Sequence, residues 1–383
     1  MNEWKKITLK EIISTNSDSY SIKEQWNYVN YLDTGNITRN KIDNIQYIDL
    51  KEKKLPSRAR RKVNYNSIIY STVRPNQRHY GIIKSKPENF LVSTGFTVID
   101  VDCKKANPDY IYYLLTMSDI VEKLQALAEQ GVSTYPSIKA SDIENLEIYL
   151  PPLLTQNKIA EILNSLDNKI ELNNRINNNL EEQAEIIFLH YIINNKFNYN
   201  WDRVSLLDIA EYLNGLAMQK FPKEDNEEGL PVLKIKELRQ GFCDCNSAIC
   251  SQNIDSRYII KNGDVIFSWS GTLLVDFWCG DFCGLNQHLF KVTSDKYNKW
   301  FYYSWTKYHL SKFQLLASAM ATTMGHIKRS DLKNSKVFIP PKEIYNYVNN
   351  ILEPIYDSII NNRIENRNLE KLRDYLINEF LNN

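Results

Sequence analysis

A run of basic residues in the first half of the chain is the strongest candidate for contact with a polyanion. Residues 51–62 read KEKKLPSRARRK and hold seven Lys or Arg residues against one acid. Cations at this density neutralise phosphates and release counterions, which gives affinity that does not depend on base sequence. The candidate backbone-contacting residues are Lys51, Lys53, Lys54, Arg58, Arg60, Arg61 and Lys62. A solvated loop without a ligand is the alternative interpretation.

A polar segment soon afterwards carries side chains that suit base edges. Arg, Asn and Gln form paired hydrogen bonds with guanine or adenine, and the segment holds Arg74, Asn76, Gln77 and Arg78. The corresponding stretch in the second half is small and aromatic instead, with Ser268, Trp269, Ser270 and Thr272. Two such loops with different side chains could read different bases, although polar loops are common on any protein surface.

A second pair of loops lies later in each half, at residues 131–137 (GVSTYPS) and 320–326 (MATTMGH). Their hydroxyls and backbone N–H groups, followed by Lys139 or by Lys328 and Arg329, would suit phosphate oxygens. A turn that leads into the last strand of a domain explains the same pattern. Residue type alone adds four more candidate readers, which are Gln240, Asn286, Gln287 and His288.

Motifs for catalysis are missing from the sequence. With only 12 glycines, the chain has neither a G-x-x-x-x-G-K-[ST] phosphate loop nor a G-x-G-x-x-G dinucleotide loop. The two Pro-Pro pairs, in LPPL at 150–153 and IPPK at 339–342, do not match the Asn/Asp-Pro-Pro-aromatic motif of an amino methyltransferase. His190, His288 and His326 are scattered, so no nucleophile can be named. We therefore expect no catalytic residues and no resident cofactor.

Cysteines are concentrated in the second half, at Cys243, Cys245, Cys250, Cys279 and Cys283. Four thiolates could hold a structural zinc ion, but the spacing lacks paired C-x2-C knuckles, and cysteine is also a common buried apolar residue. We expect reduced thiols and no metal, with zinc as the alternative.

The elements that must position these loops are duplicated. Residues 4–12 align with 201–209, and at the same offset 66–71 align with 263–268. Residues 138–143 align with 327–332, and each copy then reaches a Pro-Pro pair. Both globular parts mix β-branched runs with helical stretches, so each is expected to be a mixed α/β domain.

A long helical pattern follows each Pro-Pro pair. Apolar residues recur at spacings of three, four and seven over about 40 residues, which would reach ~60 Å at 1.5 Å per residue. Two such stripes most simply bury each other as an antiparallel coiled coil. Asn173, Asn174, Asn361 and Asn362 interrupt the stripes, and buried Asn at such positions fixes register. Pro354 predicts a kink or a fresh helix start.

Length and composition agree with this organisation. A chain of 383 residues with 43% hydrophobic residues predicts two or three folded domains. Their expected bounds are 1–153 (the first domain), 154–196 (a central helix), 197–341 (the second domain) and 342–383 (a C-terminal helix). The net charge is only +1, so any polyanion binding must come from local patches. No secretory signal or membrane-spanning stretch is evident, and we expect a cytoplasmic protein.

These motifs together resemble the specificity subunit of type I restriction-modification enzymes. The resemblance rests on the repeated opening segment, the repeated Ser-Asp-Ile/Leu segments that end in Pro-Pro, and the pattern from Gln156 to Ile170. It covers essentially the whole chain. The second copy departs from the family pattern, because Lys342-Glu343-Ile344-Tyr345 replaces the usual Pro-Leu-x-x-Gln stretch.

The resemblance implies two target-recognition domains related by a pseudo-two-fold repeat, each reading one half of a bipartite site in double-stranded DNA. The helices would set the distance between the half-sites. Two modification subunits would dock and methylate adenine N6 with S-adenosylmethionine, and motor-nuclease subunits would add restriction that needs ATP and magnesium, as a bacterial defence. The alternatives are a coiled-coil scaffold with two ligand-binding lobes, and a specificity module of a solitary or fused restriction system.

Overall fold

A computed structural model of the chain describes residues 4–130, 136–195, 201–319 and 325–381. The polypeptide forms two units by internal contact. Unit 1 is Met1–Asn168 with Lys371–Asn383, and unit 2 is Lys169–Glu370. The predicted fold class is confirmed: two homologous α/β domains are accompanied by two long helices that form an antiparallel coiled coil.

Unit 1 begins with a strand-rich domain followed by three short helices. Its strands are β1 (Lys5–Thr8), β2 (Ile13–Thr15), β3 (Tyr28–Leu32), β4 (Ile37–Thr38), β5 (Lys41–Ile42), β6 (Gln46–Asp49), β7 (Ala59–Arg61), β8 (Ile68–Ser71), β9 (Tyr80–Ile82), β10 (Phe90–Ser93), β11 (Phe96–Val101) and β12 (Glu147–Leu150). Its short helices are α1 (Pro108–Thr116), α2 (Ser118–Gln130) and α3 (Ala140–Glu144). The long helix α4 (Leu153–Phe188) begins here and is followed by a π-helical turn, Leu189–Ile193.

Unit 2 repeats this plan. Its strands are β13 (Asp202–Ser205), β14 (Glu211–Asn214), β15 (Leu230–Leu233), β16 (Ile249–Cys250), β17 (Ile259–Ile260), β18 (Val265–Ser268), β19 (Leu274–Phe277), β20 (Cys283–Leu285), β21 (Leu289–Thr293) and β22 (Lys336–Ile339). Its helices are α5 (Leu206–Ile209), α6 (Ile235–Gln240), α7 (Lys299–Ala319), α8 (Arg329–Lys333) and the start of α9 (Lys342–Leu381).

The sheets of the two units have matching strand orders. In unit 1 one sheet runs β2-β11-β8-β9, and in unit 2 the equivalent sheet runs β14-β21-β18-β19. A second four-stranded sheet in each unit contains one parallel pair, β3 with β10 and β15 with β20. The first and last strands of each domain pair antiparallel, β1 with β12 and β13 with β22. The repeat seen in the sequence is therefore a repeat of topology.

Equivalent turns enter β8 and β18. Asn66 has a φ of 67° and Gly263 a φ of 84°, the left-handed region that glycine and asparagine tolerate best. One residue later, a side-chain oxygen closes each turn: Ser67 Oγ accepts from Asn64 N at 2.8 Å, and Asp264 Oδ2 accepts from Lys261 N at 3.0 Å. Different residues thus produce the same turn.

Each unit has its own apolar core beside its helices. In unit 1, Tyr110, Leu124 and Leu163 are fully buried together. In unit 2 the core is more aromatic, and Trp300 and Trp305 of α7 lie fully buried in it. These cores fix the four-stranded sheets against the helices, and so they fix the loops at the strand ends.

The coiled coil is visible within unit 2, where α4 and α9 run antiparallel. Asn173 Nδ2 donates to Asn366 Oδ1 at 2.9 Å, and Asn362 Nδ2 donates to Asn177 Oδ1 at 2.9 Å. Of the four asparagines expected in the seam, Asn173 is buried, Asn362 is half-buried, and Asn174 and Asn361 are exposed. Two further asparagines, Asn177 and Asn366, are also buried. The helices hold 36 and 40 residues, about 54 and 60 Å at 1.5 Å per residue.

Pro354 does not start a new helix, so that part of the prediction is wrong. Helix α9 continues through it without a break. The missing N–H costs one helical hydrogen bond, but Leu352, Tyr356 and Ile359 on either side are buried in the core of unit 2. Their packing offsets the local loss.

Candidate nucleic-acid interface

The two predicted loop pairs come together in the same way in each unit. In unit 1, Ile138 N donates to Thr72 O at 2.9 Å and Arg74 N donates to Pro136 O at 3.0 Å. In unit 2, Ile327 N donates to Trp269 O at 3.0 Å, and Gly271 N donates to Gly325 O at 2.9 Å. Of the second loop pair, residues 131–135 and 320–324 lie outside the described residues. In each unit, the first predicted loop therefore meets the described end of the second, and we call this junction the tip.

A buried serine shapes each tip. Ser71 Oγ donates to Val73 O at 3.1 Å, and Ser268 Oγ donates to Ser270 O at 3.2 Å. The next turn residue is left-handed in both units, with a φ of 48° at Arg74 and 64° at Gly271. Arginine is uncommon in this conformation and glycine adopts it freely. The same backbone thus presents a long cationic side chain in one unit and none in the other.

The tip of unit 1 exposes three of its four predicted base readers. Arg74, Asn76 and Gln77 are exposed, and residues 75–77 form a short 3-10 turn. Asn76 N donates to Gln125 Oε1 of α2 at 3.2 Å, which holds the turn against the helix. Lys139, predicted to contact phosphate, is exposed at the start of α3. These side chains lie at the surface of unit 1, and their reading role stays a prediction.

Arg78 does not share that exposure. Its Nη2 donates to Ser118 Oγ at 3.1 Å, and its Nη1 lies 3.5 Å from both Tyr80 Oη and Thr116 O. The guanidinium therefore lies over the junction of α1 and α2 rather than beside the exposed turn. Arg78 is half-buried there, and its role as a base reader stays a prediction.

The tip of unit 2 is mostly internal structure. Ser268 is 0% exposed and Ser270 is 4% exposed. Ser270 Oγ lies 3.0 Å from His288 Nδ1, so its hydroxyl is used inside the domain. As folded, neither serine is available to a base, which corrects the prediction for these two residues. Thr272 is exposed and Trp269 is half-buried, so both keep surface for a ligand.

Trp269 is held by neighbours that sequence reasoning did not identify. Its Nε1 donates to Asn214 Oδ1 at 2.9 Å, and its ring lies 6.1 Å from the His288 ring and 6.3 Å from the His326 ring. Asn214 and His326 lie far from Trp269 in sequence, and no local pattern links them. Lys328 and Arg329 are exposed beside this tip. An aromatic platform with flanking cations is a chemistry that suits bases and phosphates.

The four additional candidates divide by burial. Asn286 is 5% exposed, and its Nδ2 donates to Gln287 Oε1 at 2.8 Å, so it is a structural residue. Gln240 ends α6 and donates to Phe242 O at 2.5 Å. Gln287 and His288 are half-buried.

The basic run forms the loop between β6 and β7 and continues into β7. Five of its seven cations are exposed, which are Lys51, Lys53, Lys54, Arg58 and Arg60. Arg60 Nε donates to Ser57 O at 3.1 Å, so the loop partly fixes its own side chain. An exposed cationic loop of this kind suits a phosphate backbone, and the contact itself stays a prediction.

The other two cations, Arg61 and Lys62, are half-buried. Lys62 Nζ lies 2.7 Å from Glu24 Oε2 and 5.7 Å from the centre of the Trp26 ring. This hydrogen-bonded ion pair raises the pKa of Lys62 above its ordinary value. Arg61 is half-buried, and its Nε has no hydrogen-bond partner among the described residues. Burial lowers the pKa of Arg61 from its ordinary value. Both are poorly placed for phosphate as folded.

The cysteines all fall within the described residues and do not gather at one point. Cys279 Sγ contacts Ile360 O at 3.9 Å, whereas Cys243 packs against the separate cluster that contains Cys283. No group of three or more His, Cys, Asp or Glu side chains among the described residues is arranged to hold a metal ion. In the same part of the chain, no helix is long and apolar enough to span a membrane.

Comparison with known families identifies this architecture. The profile of the type I restriction modification DNA specificity domain matches residues 1–182 and again 198–371. The chain belongs to this family. The two matches coincide with the two halves of the repeat, and the function of the chain is that of a DNA-recognition specificity subunit.

Similar proteins carry the same description over their full length. The type I restriction enzyme HindI specificity subunit of Haemophilus influenzae is 22% identical over 459 aligned positions, which cover 100% of this chain and 99% of that protein. The MjaIX specificity subunit of Methanocaldococcus jannaschii is 26% identical, covering 96% of this chain and 89% of that protein. A crystal structure of a type I restriction-modification S subunit from M. genitalium shares the fold, with a TM-score of 0.58 at 14% identity over 100% of this chain and 97% of that chain.

Proposed function

We propose that this specificity subunit reads a bipartite target in double-stranded DNA, with one domain on each half-site. The exposed loop from Lys51 to Arg60 contacts the phosphate backbone. The tip of unit 1 reads bases with Arg74, Asn76 and Gln77, and the tip of unit 2 uses Trp269 and Thr272. Lys139, Lys328 and Arg329 hold phosphates beside the tips. The chain itself is non-catalytic and works in the cytoplasm.

One observation carries the proposal: the two tips share equivalent backbone hydrogen bonds but carry different side chains. The hydrogen bonds from Ile138 to Thr72 and from Ile327 to Trp269 are equivalent. Around them, unit 1 presents charged and amide groups, whereas unit 2 presents an indole and a hydroxyl. A scaffold that needed two identical ligand sites would have no use for this difference. A protein that reads two different half-sites requires it, because base identity is read by side-chain type.

The charge of the chain favours work within a larger assembly. A net charge of +1 is low for a protein that binds DNA alone. We propose that two modification subunits, which would bind S-adenosylmethionine and methylate adenine N6, supply further phosphate contacts. Restriction subunits would require ATP and magnesium for cleavage. The long helices would set the separation of the half-sites, since lengths of about 54 to 60 Å exceed one DNA turn of about 34 Å.

Single-molecule sequencing of methylated DNA tests this function. The chain would be co-expressed with the methyltransferase gene beside it, in a host without other adenine methylation. The expected result is modification confined to one two-part motif with a fixed gap. A host expressing the methyltransferase alone is the control and should show no such motif. A soluble complex that binds DNA without preference for any two-part sequence would contradict the proposal.

A further inference from the structure

A small polar pocket lies in unit 1 beneath the reading turn. It has a volume of about 120 Å³, which is room for several water molecules and so for one tetrahedral oxyanion. Arg39, Arg78 and Arg373 line it, together with Tyr112 and Ser118. Ser118 begins helix α2, whose first-turn N–H groups have no acceptor within the helix. Cationic side chains and a helix N-terminus are the groups that bind oxyanions in proteins.

Two of the three arginines have no carboxylate partner. The Arg78 guanidinium donates only to Ser118 Oγ and makes long contacts with Tyr80 and Thr116. Among the described residues, no ion pair or hydrogen bond involves the Arg39 guanidinium. Arg39 N donates to Arg78 O at 2.9 Å, so the two backbones are joined. Both residues are left-handed, with φ angles of 48° and 57°, an uncommon conformation for arginine.

A tyrosine of the same pocket wall carries a further hydrogen-bond donor. Tyr112 is only 6% exposed, and its Oη has no hydrogen-bond partner among the described residues. Burial raises the pKa of Tyr112 well above its ordinary value, so the hydroxyl keeps its proton and is a donor. A hydroxyl donor at the wall of a pocket can donate to an anion or to water inside it. The pocket is where that acceptor would lie.

Both acids in the pocket wall are paired with the third arginine. Arg373 Nη1 lies 2.7 Å from Asp167 Oδ1, and its Nη2 lies 3.0 Å from Asp374 Oδ1. Asp167 Oδ2 also accepts from Tyr113 Oη at 2.7 Å. Arg39 and Arg78 are therefore left as excess positive charge, and the five charged side chains sum to +1.

We propose that this pocket holds one phosphate of the DNA backbone beside the half-site read by unit 1. The proposal rests on the DNA-reading function proposed above. Arg78 ends the turn that carries Asn76 and Gln77, so a phosphate held here fixes the reading turn relative to the backbone. In unit 2 the link from β18 to β19 is shorter than the link from β8 to β9 and carries no arginine, so Arg78 has no counterpart in that link. The pocket thus gives unit 1 a positioning contact that does not depend on base sequence.

Calorimetric titration of the full chain with inorganic phosphate tests the pocket by itself. Saturable binding is expected for the wild type, about tenfold weaker in Arg39→Gln and in Tyr112→Phe, because each removes one donor from the anion. Lys41→Gln is the matched control, since it removes an exposed cation from the same β4–β5 hairpin outside the pocket. Its phosphate affinity should equal that of the wild type. Equal phosphate affinities in the wild type and all three variants, or no binding by the wild type, would overturn the proposal that this pocket binds phosphate.

Binding of the methylation target by the assembled complex tests the DNA source of the phosphate. Arg39→Gln should weaken DNA binding about tenfold more than Lys41→Gln does. The loss of affinity should be the same for DNA duplexes of different base sequence, because a phosphate contact does not read bases. If the wild type binds inorganic phosphate but Arg39→Gln and Lys41→Gln bind DNA with equal affinity, the pocket is a site for free phosphate. That result would contradict the DNA contact. A wild-type complex with no preference for a two-part target would instead contradict the proposed function, so the two failures are distinguishable.

Discussion

The first and second domains keep the same internal contacts with different residues. In the first, Asn107 N donates to Gln156 Oε1 at 2.9 Å, where α4 meets the start of α1. In the second, Asn298 N donates to Tyr345 Oη at 2.9 Å, where α9 meets the start of α7. Tyr345 thus replaces the glutamine of the family pattern without loss of the contact. The framework of this protein is maintained by geometry and not by residue identity.

The tips of the domains show the opposite behaviour. Their backbone hydrogen bonds are equivalent, but the side chains that they display share little chemistry. Two kinds of position can therefore be distinguished. At positions that hold the fold, the two domains have different residues but keep the same internal contact. At positions that face a ligand, different residues give the two domains different surface chemistry. Substitutions at the two kinds of position should therefore have different effects.

The largest effect is expected from a half-buried arginine that joins the helices to the second domain. Arg363 lies 2.7 Å from Asp276 and 2.8 Å from Glu181. Although burial lowers the pKa of Arg363, the two carboxylates raise it above its ordinary value. Arg363→Ala leaves both carboxylates without a counter-ion, and we expect the free energy of unfolding of unit 2 to fall by about 3 kcal/mol.

Urea unfolding followed by hydrogen-exchange mass spectrometry would locate that loss. Arg373→Ala should destabilise unit 1 instead, because its partner Asp167 lies there. Arg175→Ala is the control, since its pair with Glu171 is exposed and worth at most about 0.5 kcal/mol. Equal loss in both units from either substitution would show that the framework is not divided as described.

A smaller effect is expected at the two helix junctions. Gln156→Leu and Tyr345→Phe each remove the side-chain acceptor of a backbone N–H, and each should lower the free energy of unfolding by about 1 to 2 kcal/mol. Tyr347→Phe is the control, because the Tyr347 side chain is 52% exposed and its hydroxyl makes only a 3.5 Å contact. Chemical denaturation measures all three. A large loss of unfolding free energy in only one of Gln156→Leu and Tyr345→Phe would show that the two junctions are not equivalent.

The basic loop should change affinity and salt dependence but not specificity. Replacing Lys54, Arg58 and Arg60 by Ala removes three exposed cations, so the slope of log affinity against log salt should flatten by up to about 3. Arg61 and Lys62 are left unchanged because they are half-buried. Fluorescence anisotropy on target and non-target DNA measures both slopes. A shift of base preference with an unchanged slope would assign the loop to reading instead.

A control for that experiment removes the same charge elsewhere. Lys10, Lys104 and Lys123 are exposed residues of unit 1 outside the basic loop. Their replacement by Ala should leave the salt slope close to that of the wild type. An equal flattening in both triple variants would mean that net charge, and not the loop, governs binding.

The repeat, the mixed α/β class and the long helices could be predicted because they depend on local spacing. A 3.6-residue stripe or a turn closed by a nearby side chain is encoded within a few residues. The fresh helix start expected at Pro354 is absent, because the cost of this proline is local, whereas the packing that offsets it comes from the whole core of unit 2. The seam asparagines Asn177 and Asn366 were missed, because their pairing depends on the register of two distant helices.

The candidate site could be predicted only in part, because the sequence does not show where a side chain points or how deeply it is buried. Arg78 and Lys62 were chosen by type, but Ser118 and Glu24 hold them at contacts that the sequence does not display. Ser268 and Ser270 resemble exposed loop residues in sequence and are buried in the fold. The exposed Arg74, Asn76, Gln77, Trp269 and Thr272 stay predictions, because reading a base requires a partner that one chain does not contain.

Mapping adenine methylation in cells that express tip variants tests the central claim most directly. One variant would carry Asn76→Ala with Gln77→Ala, and the other Trp269→Phe with Thr272→Ala, each co-expressed with the methyltransferase. We predict that the first variant relaxes the motif in one half only and the second in the other half only, with the gap unchanged. Relaxation of both halves by either variant, or of neither half by both, would contradict independent reading by the two domains.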